Sequence, residues 1–256
     1  MPSFLSNGIE IAYELHGERG APILLIHGFA SSGTINWVNT GWVETLKQAG
    51  YQPITIDNRG HGKSRKVYDP KLYFAHDMAD DAANLLDHLG HERAIPVIGY
   101  SMGARISAYL ALRHPARVRS SIWGGMGVNL ITGLEDSEEI IAALTAESLA
   151  DVKGATGRQF RIFADHSKAD RAALAACMIS SREPMAEADV RRITQPVLVA
   201  VGETDDMAGD PHQLAEMLPR GEALVIPKRN HMLATGDPKF KVAAIKFLLA
   251  HRSSIL

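Results

Sequence analysis

Gly99-Tyr100-Ser101-Met102-Gly103 is the stretch that decides the fold of this chain. It follows an apolar, strand-like segment at 94–98 and runs directly into helix-forming sequence at 104–113. A strand can turn into a helix at one residue only if the neighbours two positions away lack side chains, because a Cβ there would collide with the strand or the helix. The spacing therefore predicts a tight turn with Ser101 at its tip, beside the free N–H groups of a helix N-terminus.

The strand before Ser101 is one of eight that the hydrophobic pattern predicts. Asn7-Gly8, a strong type I′ turn signal, joins the first two, residues 3–5 and 9–15, into a hairpin. The others are mostly continuous apolar runs, typical of strands covered on both faces, at 22–27, 52–56, 94–98, 118–123, 196–202 and 223–226. Helical patterns lie between or after them, at 37–49, 74–89, 104–113, 211–218 and 238–251. Right-handed crossovers then predict an α/β fold with a mostly parallel, eight-stranded sheet flanked by helices.

The alternation of strand and helix stops between the sixth and seventh predicted strands. Helical patterns alone occur there, at 134–149, 157–164, 168–181 and 185–193. We therefore predict a core formed by residues 1–127 and 195–256, into which residues 128–194 are inserted as a helical cap, or lid.

Composition narrows the class of protein. With 256 residues, the chain fits one α/β core with an insertion better than two independent domains. Its 27 basic and 29 acidic residues give a formal net charge of −2 without a basic cluster, so nucleic acid is not an expected partner. No apolar run approaches membrane-spanning length, and no charged segment precedes a long apolar one, so a cytoplasmic location is the default expectation.

Cysteine and metal-binding motifs are sparse. The single cysteine, Cys177, cannot form an intramolecular disulfide, so nothing ties the chain to an oxidising compartment. The sequence has neither an H-E-x-x-H motif nor a Cys/His cluster, and we expect no metal and no other cofactor.

Candidate partners for Ser101 follow the last two predicted strands. A serine hydroxyl becomes a good nucleophile when a base removes its proton, and a histidine base needs a carboxylate to fix its tautomer. His231 follows the strand at 223–226, while Asp205 and Asp206 follow the strand at 196–202. Loops at the carboxyl ends of parallel strands meet at one edge of the sheet, so these residues can converge on Ser101.

Five motifs, in order along nearly the whole chain, resemble those of the α/β-hydrolase superfamily in its capped branch. They are His27-Gly28-Phe29, the loop at 57–64, Gly99-x-Ser101-x-Gly103, Gly202-x-x-Asp205 and Asn230-His231. The resemblance implies Ser101 as nucleophile, His231 as general base and Asp205 as the orienting acid. It also implies an oxyanion hole formed by the backbone N–H groups of Phe29 and Met102.

Other polar residues in these motifs have alternative roles, either in catalysis or in support of the loops. The spacing of three residues after Gly202 favours Asp205 over the adjacent Asp206, and the choice between them stays open. His27 and His61, each beside a glycine, are expected to hydrogen-bond backbone rather than to act in catalysis. Asp57 and Arg59 are expected to brace the loop that contains them.

The predicted reaction is hydrolysis of a small, fairly apolar carboxylic ester through an acyl-enzyme. In epoxide hydrolases and haloalkane dehalogenases of this fold an aspartate replaces the serine, so Ser101 argues against both chemistries. We expect Trp37, Trp123, Met126 and the cap to complete the substrate pocket, with the substrate and water as partners.

Other activities are compatible with the same residues. A carbon–carbon bond hydrolase, lactonase, thioesterase or perhydrolase would use the same triad, and these subtypes are separated only by analogy. A ligand-binding receptor on a hydrolase fold is the alternative outside enzymes. Self-association into a homo-oligomer is left open.

Overall fold

The computed structural model describes residues 1–133 and 137–252, and in these residues eight strands form one mostly parallel sheet, as predicted. The strands are β1 (Ser3–Ser6), β2 (Ile9–Leu15), β3 (Ala21–Ile26), β4 (Tyr51–Ile56), β5 (Ile95–Tyr100), β6 (Val118–Gly124), β7 (Val197–Gly202) and β8 (Gly221–Ile226). Their order across the sheet is β1-β2-β4-β3-β5-β6-β7-β8. The β1–β2 and β2–β4 pairs are antiparallel, and the other neighbouring strands are parallel.

The predicted hairpin is confirmed. Asn7 and Gly8 have φ values of 47° and 81°, and the flanking residues Ser6 and Ile9 pair across the two strands. Positive φ at both loop positions is the signature of a type I′ turn, for which asparagine followed by glycine is the preferred sequence.

Helices cover the sheet and fill the interval between β6 and β7. They are α1 (Trp42–Gln48), α2 (Ala75–His88), α3 (Met102–Arg113), α4 (Asn129–Thr132), α5 (Ser137–Thr145), α6 (Ala155–His166), α7 (Arg171–Ser180), α8 (Glu187–Val190), α9 (Pro211–Met217), α10 (His231–Ala234) and α11 (Pro238–Ala250). None of these helices, in the part of the chain that is described, is long and apolar enough to cross a membrane.

The interval from β6 to β7 contains α4 to α8 and, among its described residues, no strand. The first three residues of the helix predicted at 134–149 lie outside the described residues. The division of the chain into a core and a separate cap stays a prediction.

The helix predicted at 37–49 is wrong in its first half. A π-helical turn at Thr34–Val38 and α1 are separate elements, divided by Gly41 with a left-handed φ of 78°. Trp37 and Trp42 contact each other edge to face, with ring centroids 5.9 Å apart. Gly41 permits the break between the two elements, because glycine adopts a left-handed φ without steric cost.

Both faces of the sheet are covered by apolar side chains. Along β3, Leu24 and Ile26 pack in the core that includes α2 and α3, whereas Ile23 and Leu25 pack in the core that includes α1 and α11. All four are completely buried, and each such side chain contributes about 1.5–3 kcal/mol on leaving water. Burial on both faces explains why β3 is a continuous apolar run rather than an alternating one.

The strand order also places the functional loops. β3 lies between β4 and β5, so the connection from β3 leads to β4 on one side and the next connection returns to β5 on the other side. This reversal opens a crevice at the carboxyl ends of the parallel strands, where ligands bind in such sheets. The loops after β3, β5, β7 and β8 begin at this edge.

Gly103→Ala tests the close approach of α3 to β3. A Cβ at Gly103 would overlap the carbonyl oxygen of Ile26, a backbone atom that cannot move aside. Alanine is better than glycine in a helix by about 1 kcal/mol, yet we expect the clash to lower the free energy of unfolding by about 3 kcal/mol. Urea denaturation measures this change.

The matched control is Gly236→Ala, because the nearest atom to its added Cβ, in Thr40, would be 3.5 Å away. We expect this variant to stay within about 1 kcal/mol of the parent protein. Equal stability of the two variants would contradict the proposed packing constraint.

Candidate active site

Ser101 lies at the turn between β5 and α3 in a strained backbone conformation. Its φ of 54° and ψ of −115° fall outside the regions that side-chain-bearing residues commonly adopt. The Ser101 N–H donates to the carbonyl of Gly124 at 2.7 Å, which fixes the turn. A Cβ at Gly99 would overlap the backbone of Gly103, so both glycines of the motif are required by packing.

His231 lies within hydrogen-bond distance of both Ser101 and Asp205. Its Nε2 is 3.0 Å from Ser101 Oγ, and its Nδ1 is 2.8 Å from Asp205 Oδ2. A carboxylate accepts hydrogen bonds, so Nδ1 carries the proton and Nε2 presents its lone pair to the serine hydroxyl. The structure thus brings together the three residues that the sequence predicted, with His231 between Ser101 and Asp205.

Asp205 is also held by backbone donors. Its Oδ1 accepts from the N–H groups of Met207 at 3.0 Å and Ala208 at 3.1 Å, and its side chain is completely buried. The adjacent Asp206 is exposed and lines a cavity rather than contacting His231. The geometry therefore favours Asp205 over Asp206 as the partner of the histidine.

Tyr100 holds the backbone of His231. Its phenol donates to the His231 carbonyl oxygen at 2.5 Å, and the two rings lie 5.6 Å apart. Burial raises the pKa of Tyr100, so the phenol keeps its proton and remains a donor. Sequence reasoning missed this residue, because an aromatic side chain at the end of a buried strand gives no signal of a distant partner.

The backbone N–H groups of Phe29 and Met102 have no acceptor in residues 1–133 and 137–252. Met102 begins α3, where the first N–H groups of a helix lack a partner in the preceding turn. A Cβ at Gly28 would be 3.4 Å from Ser101 Cβ, so the loop that carries Phe29 lies against the serine. Both predicted oxyanion donors are therefore available to a ligand.

Side chains hold the loop that carries Phe29. The Asn58 N–H donates to His27 Nε2 at 2.9 Å, so His27 Nδ1 carries the proton and donates to the Gly28 carbonyl at 2.7 Å. Asn36 Oδ1 accepts the Gly28 N–H at 3.0 Å. Burial lowers the pKa of His27, which keeps the ring neutral. His27 bonds backbone on both sides, as expected.

The Phe29 ring is enclosed by His61, Phe160 and Arg182. The rings of His61 and Phe160 each approach it edge to face at 5.8 Å, and the Arg182 guanidinium carbon lies 5.6 Å from its centre. His61 Nδ1 donates to the carbonyl of Arg59 at 2.9 Å, and burial lowers the pKa of His61 to about 3. A neutral His61 is therefore part of the support for the Phe29 loop.

Asp57 and Arg59 brace the loop at 57–64. Arg59 forms a buried bidentate pair with Asp81, with both N–O distances at 2.7 Å. Asp57 accepts the backbone N–H groups of Gly33 and Lys63, each at 2.7 Å. These contacts agree with the bracing role expected for both residues.

A cavity of about 550 Å³ opens onto Ser101 and His231. Phe29, Phe160 and Phe163 give it aromatic walls, of which the last two come from α6. Its remaining lining comes mainly from the loops after β3, β7 and β8. Helices between β6 and β7 thus help to enclose the space above the serine.

The prediction that Trp37, Trp123 and Met126 line this cavity is wrong. Trp37 is completely buried in the core on the α1 and α11 face. Trp123 is completely buried on the opposite face, where Met126 packs in the same core. Closeness to a motif in sequence does not determine which face of the sheet a large apolar side chain covers.

Comparisons with known proteins agree with the observed fold. A family model described as the alpha/beta hydrolase fold matches residues 21–123. The solved structure of a thermophilic esterase from Thermogutta terrifontis covers 98% of this chain and 97% of its own, with 25% identity and a TM-score of 0.74. Fold, strand order and the serine turn define an α/β hydrolase. The chain therefore has the fold of the α/β hydrolases.

Curated relatives match over shorter segments. Epoxide hydrolase B from Mycobacterium tuberculosis is 34% identical over 100 residues, which cover 39% of this chain and 27% of that protein. A bifunctional esterase/perhydrolase from Acinetobacter calcoaceticus is 34% identical over 112 residues, which cover 43% of this chain and 38% of that protein. The chain thus spans well under half the length of these relatives in the segments that it matches.

The neutral buried histidines predict sensitivity to acid. The pKa of His61 is about 3 in the folded chain, against an ordinary value of 6.5. Between these values the unfolded chain binds one more proton at this position, so stability falls as the pH is lowered. We expect the free energy of unfolding to fall by up to about 1.4 kcal/mol per pH unit for such a histidine.

Urea denaturation between about pH 6.5 and pH 4.5 of the parent protein and His61→Gln measures this dependence. In His61→Gln, the free energy of unfolding should fall less steeply with decreasing pH, by the contribution of roughly one proton. His212→Gln, at an exposed position, should show the same dependence on pH as the parent protein. Equal slopes in the parent and His61→Gln would contradict the burial of a neutral ring.

Proposed function

We propose that this protein is a serine hydrolase that cleaves small, apolar carboxylic esters by acyl transfer to water. The observation that carries the proposal is the chain of contacts from Asp205 through His231 to Ser101, at 2.8 Å and 3.0 Å. This arrangement is the one that makes a serine hydroxyl nucleophilic. The free N–H groups of Phe29 and Met102 supply donors for the charge that develops during attack.

In the first half of the reaction, Ser101 Oγ attacks the carbonyl carbon of the ester and its proton passes to His231 Nε2. The Asp205 carboxylate stabilises the imidazolium that results. The carbonyl oxygen becomes an oxyanion, for which each N–H donor is worth on the order of 10²–10³ in kcat. The imidazolium then protonates the leaving alcohol oxygen as its bond to carbon breaks, and the acyl group stays on Ser101.

In the second half, His231 Nε2 takes a proton from water as the water oxygen adds to the acyl carbon. The tetrahedral intermediate collapses when the bond from carbon to Ser101 Oγ breaks. The proton returns from His231 to the serine, and the carboxylic acid leaves. Atoms and charge therefore balance with water as the only co-substrate.

The size and lining of the cavity support a small apolar substrate. Its volume of about 550 Å³ lies within the usual range for small-molecule sites, and its aromatic walls suit an acyl chain. We place the substrate between a core and a cap formed by residues 128–194, with α6 as the part of the cap that contacts it.

Perhydrolysis is the second candidate activity. The Acinetobacter relative is named a bifunctional esterase/perhydrolase, and hydrogen peroxide can replace water as the nucleophile that attacks an acyl-enzyme. We do not propose the epoxide hydrolase activity for which another relative is named, because a serine rather than an aspartate stands at the turn of this chain.

Substitution of the three triad residues tests the proposal. With p-nitrophenyl butyrate as substrate, we expect Ser101→Ala, His231→Gln and Asp205→Asn each to lower kcat by about 10⁴. Asp206→Asn should cost less than about tenfold, because its carboxylate does not reach His231. Release of p-nitrophenol measures each rate, and urea denaturation checks that the variants are folded.

A parent protein no faster than Ser101→Ala would sink the esterase proposal and favour a ligand-binding receptor. A larger loss in Asp206→Asn than in Asp205→Asn would overturn the assignment of the acid. Adding hydrogen peroxide and assaying peracid separates the perhydrolase candidate from simple hydrolysis.

A further inference from the structure

The side chains that line the catalytic cavity include no lysine or arginine among the described residues. Among its described lining residues, the ionisable groups are Asp206, His231 and the phenol of Tyr100. Asp206 is exposed, and its carboxylate makes no hydrogen bond or ion pair with any residue in the described ranges.

A second carboxylate, that of Asp205, contacts His231, which itself lines the cavity. Asp205 has a completely buried side chain, and its Oδ2 lies 2.8 Å from His231 Nδ1. The cation Arg182 contacts the Phe29 ring but does not line the cavity. The loop after β7 thus places two carboxylates, those of Asp206 and Asp205, on one side of the cavity.

Apolar and aromatic groups line the cavity together with Asp206. Phe160 and Phe163 of α6 and Met232 of α10 line the same cavity as Asp206. Aromatic faces and a carboxylate together favour organic cations, because the ring quadrupole and the negative charge both attract a positive group. A substrate carboxylate would meet a like charge with no basic side chain in the described lining to neutralise it.

We propose that Asp206 selects substrates by charge, so that the cavity accepts neutral and cationic esters and discriminates against esters bearing an ionised carboxylate. This inference rests on the proposed ester hydrolysis, which it narrows to a substrate class. Because water and salt screen an exposed carboxylate, each unit of substrate charge changes kcat/KM by about three- to tenfold.

Butyrate esters of three alcohols of similar size test the selection. Choline gives the cationic ester, 3,3-dimethylbutanol the neutral one and 3-hydroxypropanoate the anionic one. Titration of the released acid gives kcat/KM for each. We expect the order cationic, neutral, anionic in the parent protein, and a ratio of cationic to anionic ester that falls about tenfold or more in Asp206→Asn.

Two further experiments test whether the charge of Asp206 causes the order of the three esters. Asp206→Lys should reverse the order, and salt from about 0.02 M to about 0.5 M should compress the ratio in the parent more than in Asp206→Asn. Glu216→Gln is the matched control, since Glu216 is an exposed carboxylate of α9 that does not line the cavity. It should keep both the activity and the ratio of the parent.

Binding separates failure of the selection from failure of the proposed reaction. Calorimetric titration of the intact esters into Ser101→Ala, with and without Asp206→Asn, gives Kd values that do not depend on turnover. Charge-ordered Kd values that Asp206→Asn equalises, without hydrolysis by the parent, would reject the esterase and keep the selection. Kd values or rates that do not respond to Asp206→Asn would overturn the selection, whatever the activity.

Discussion

The close packing of α3 against β3 at Gly103 is the constraint on which the site depends. It forces the chain to turn at Ser101 in a conformation that costs about 1–3 kcal/mol in isolation. The completely buried side chains of β3, on both faces of the sheet, offset that strain. The same contact sets the serine hydroxyl, the first N–H of α3 and the loop after β3 side by side.

The surroundings of Phe29 show how a backbone N–H group is left free in a protein interior. Unpaired polar groups are costly to bury, and most of the neighbouring ones have partners. His27 accepts the N–H of Asn58 from the loop after β4, and Asn36 accepts the N–H of Gly28, the residue before Phe29. The Phe29 N–H has no acceptor in the described residues, and a free N–H beside the proposed nucleophile is what an oxyanion site requires.

Local features of this fold were predictable from the sequence, and contacts across the molecule were not. The hairpin at Asn7-Gly8 and the turn at Ser101 each follow from the conformational freedom of glycine within a few residues. Asp205 could be favoured by its spacing from Gly202, which fixes its place in one loop. Tyr100 and His231 are 131 residues apart, and the sequence around neither residue predicts their hydrogen bond.

The substrate pocket was the least predictable part for a related physical reason. A tryptophan near a motif can turn to either face of a sheet, and burial in the core is the more favourable outcome for so large an apolar side chain. Trp37 and Trp123 are both in the cores. Which face of α6 meets Ser101 depends on tertiary packing, so Phe160 and Phe163 carried no signal in the helical pattern.

Covalent labelling of Ser101 tests the proposed mechanism most directly. A p-nitrophenyl alkylphosphonate should react with the activated serine to give an adduct that water removes slowly. Peptide mass spectrometry should find one phosphonyl group per chain on Ser101, with esterase activity lost in the same proportion and labelling much slowed in His231→Gln. Full esterase activity in a labelled protein, or a label on a different residue with Ser101 unmodified, would contradict the mechanism.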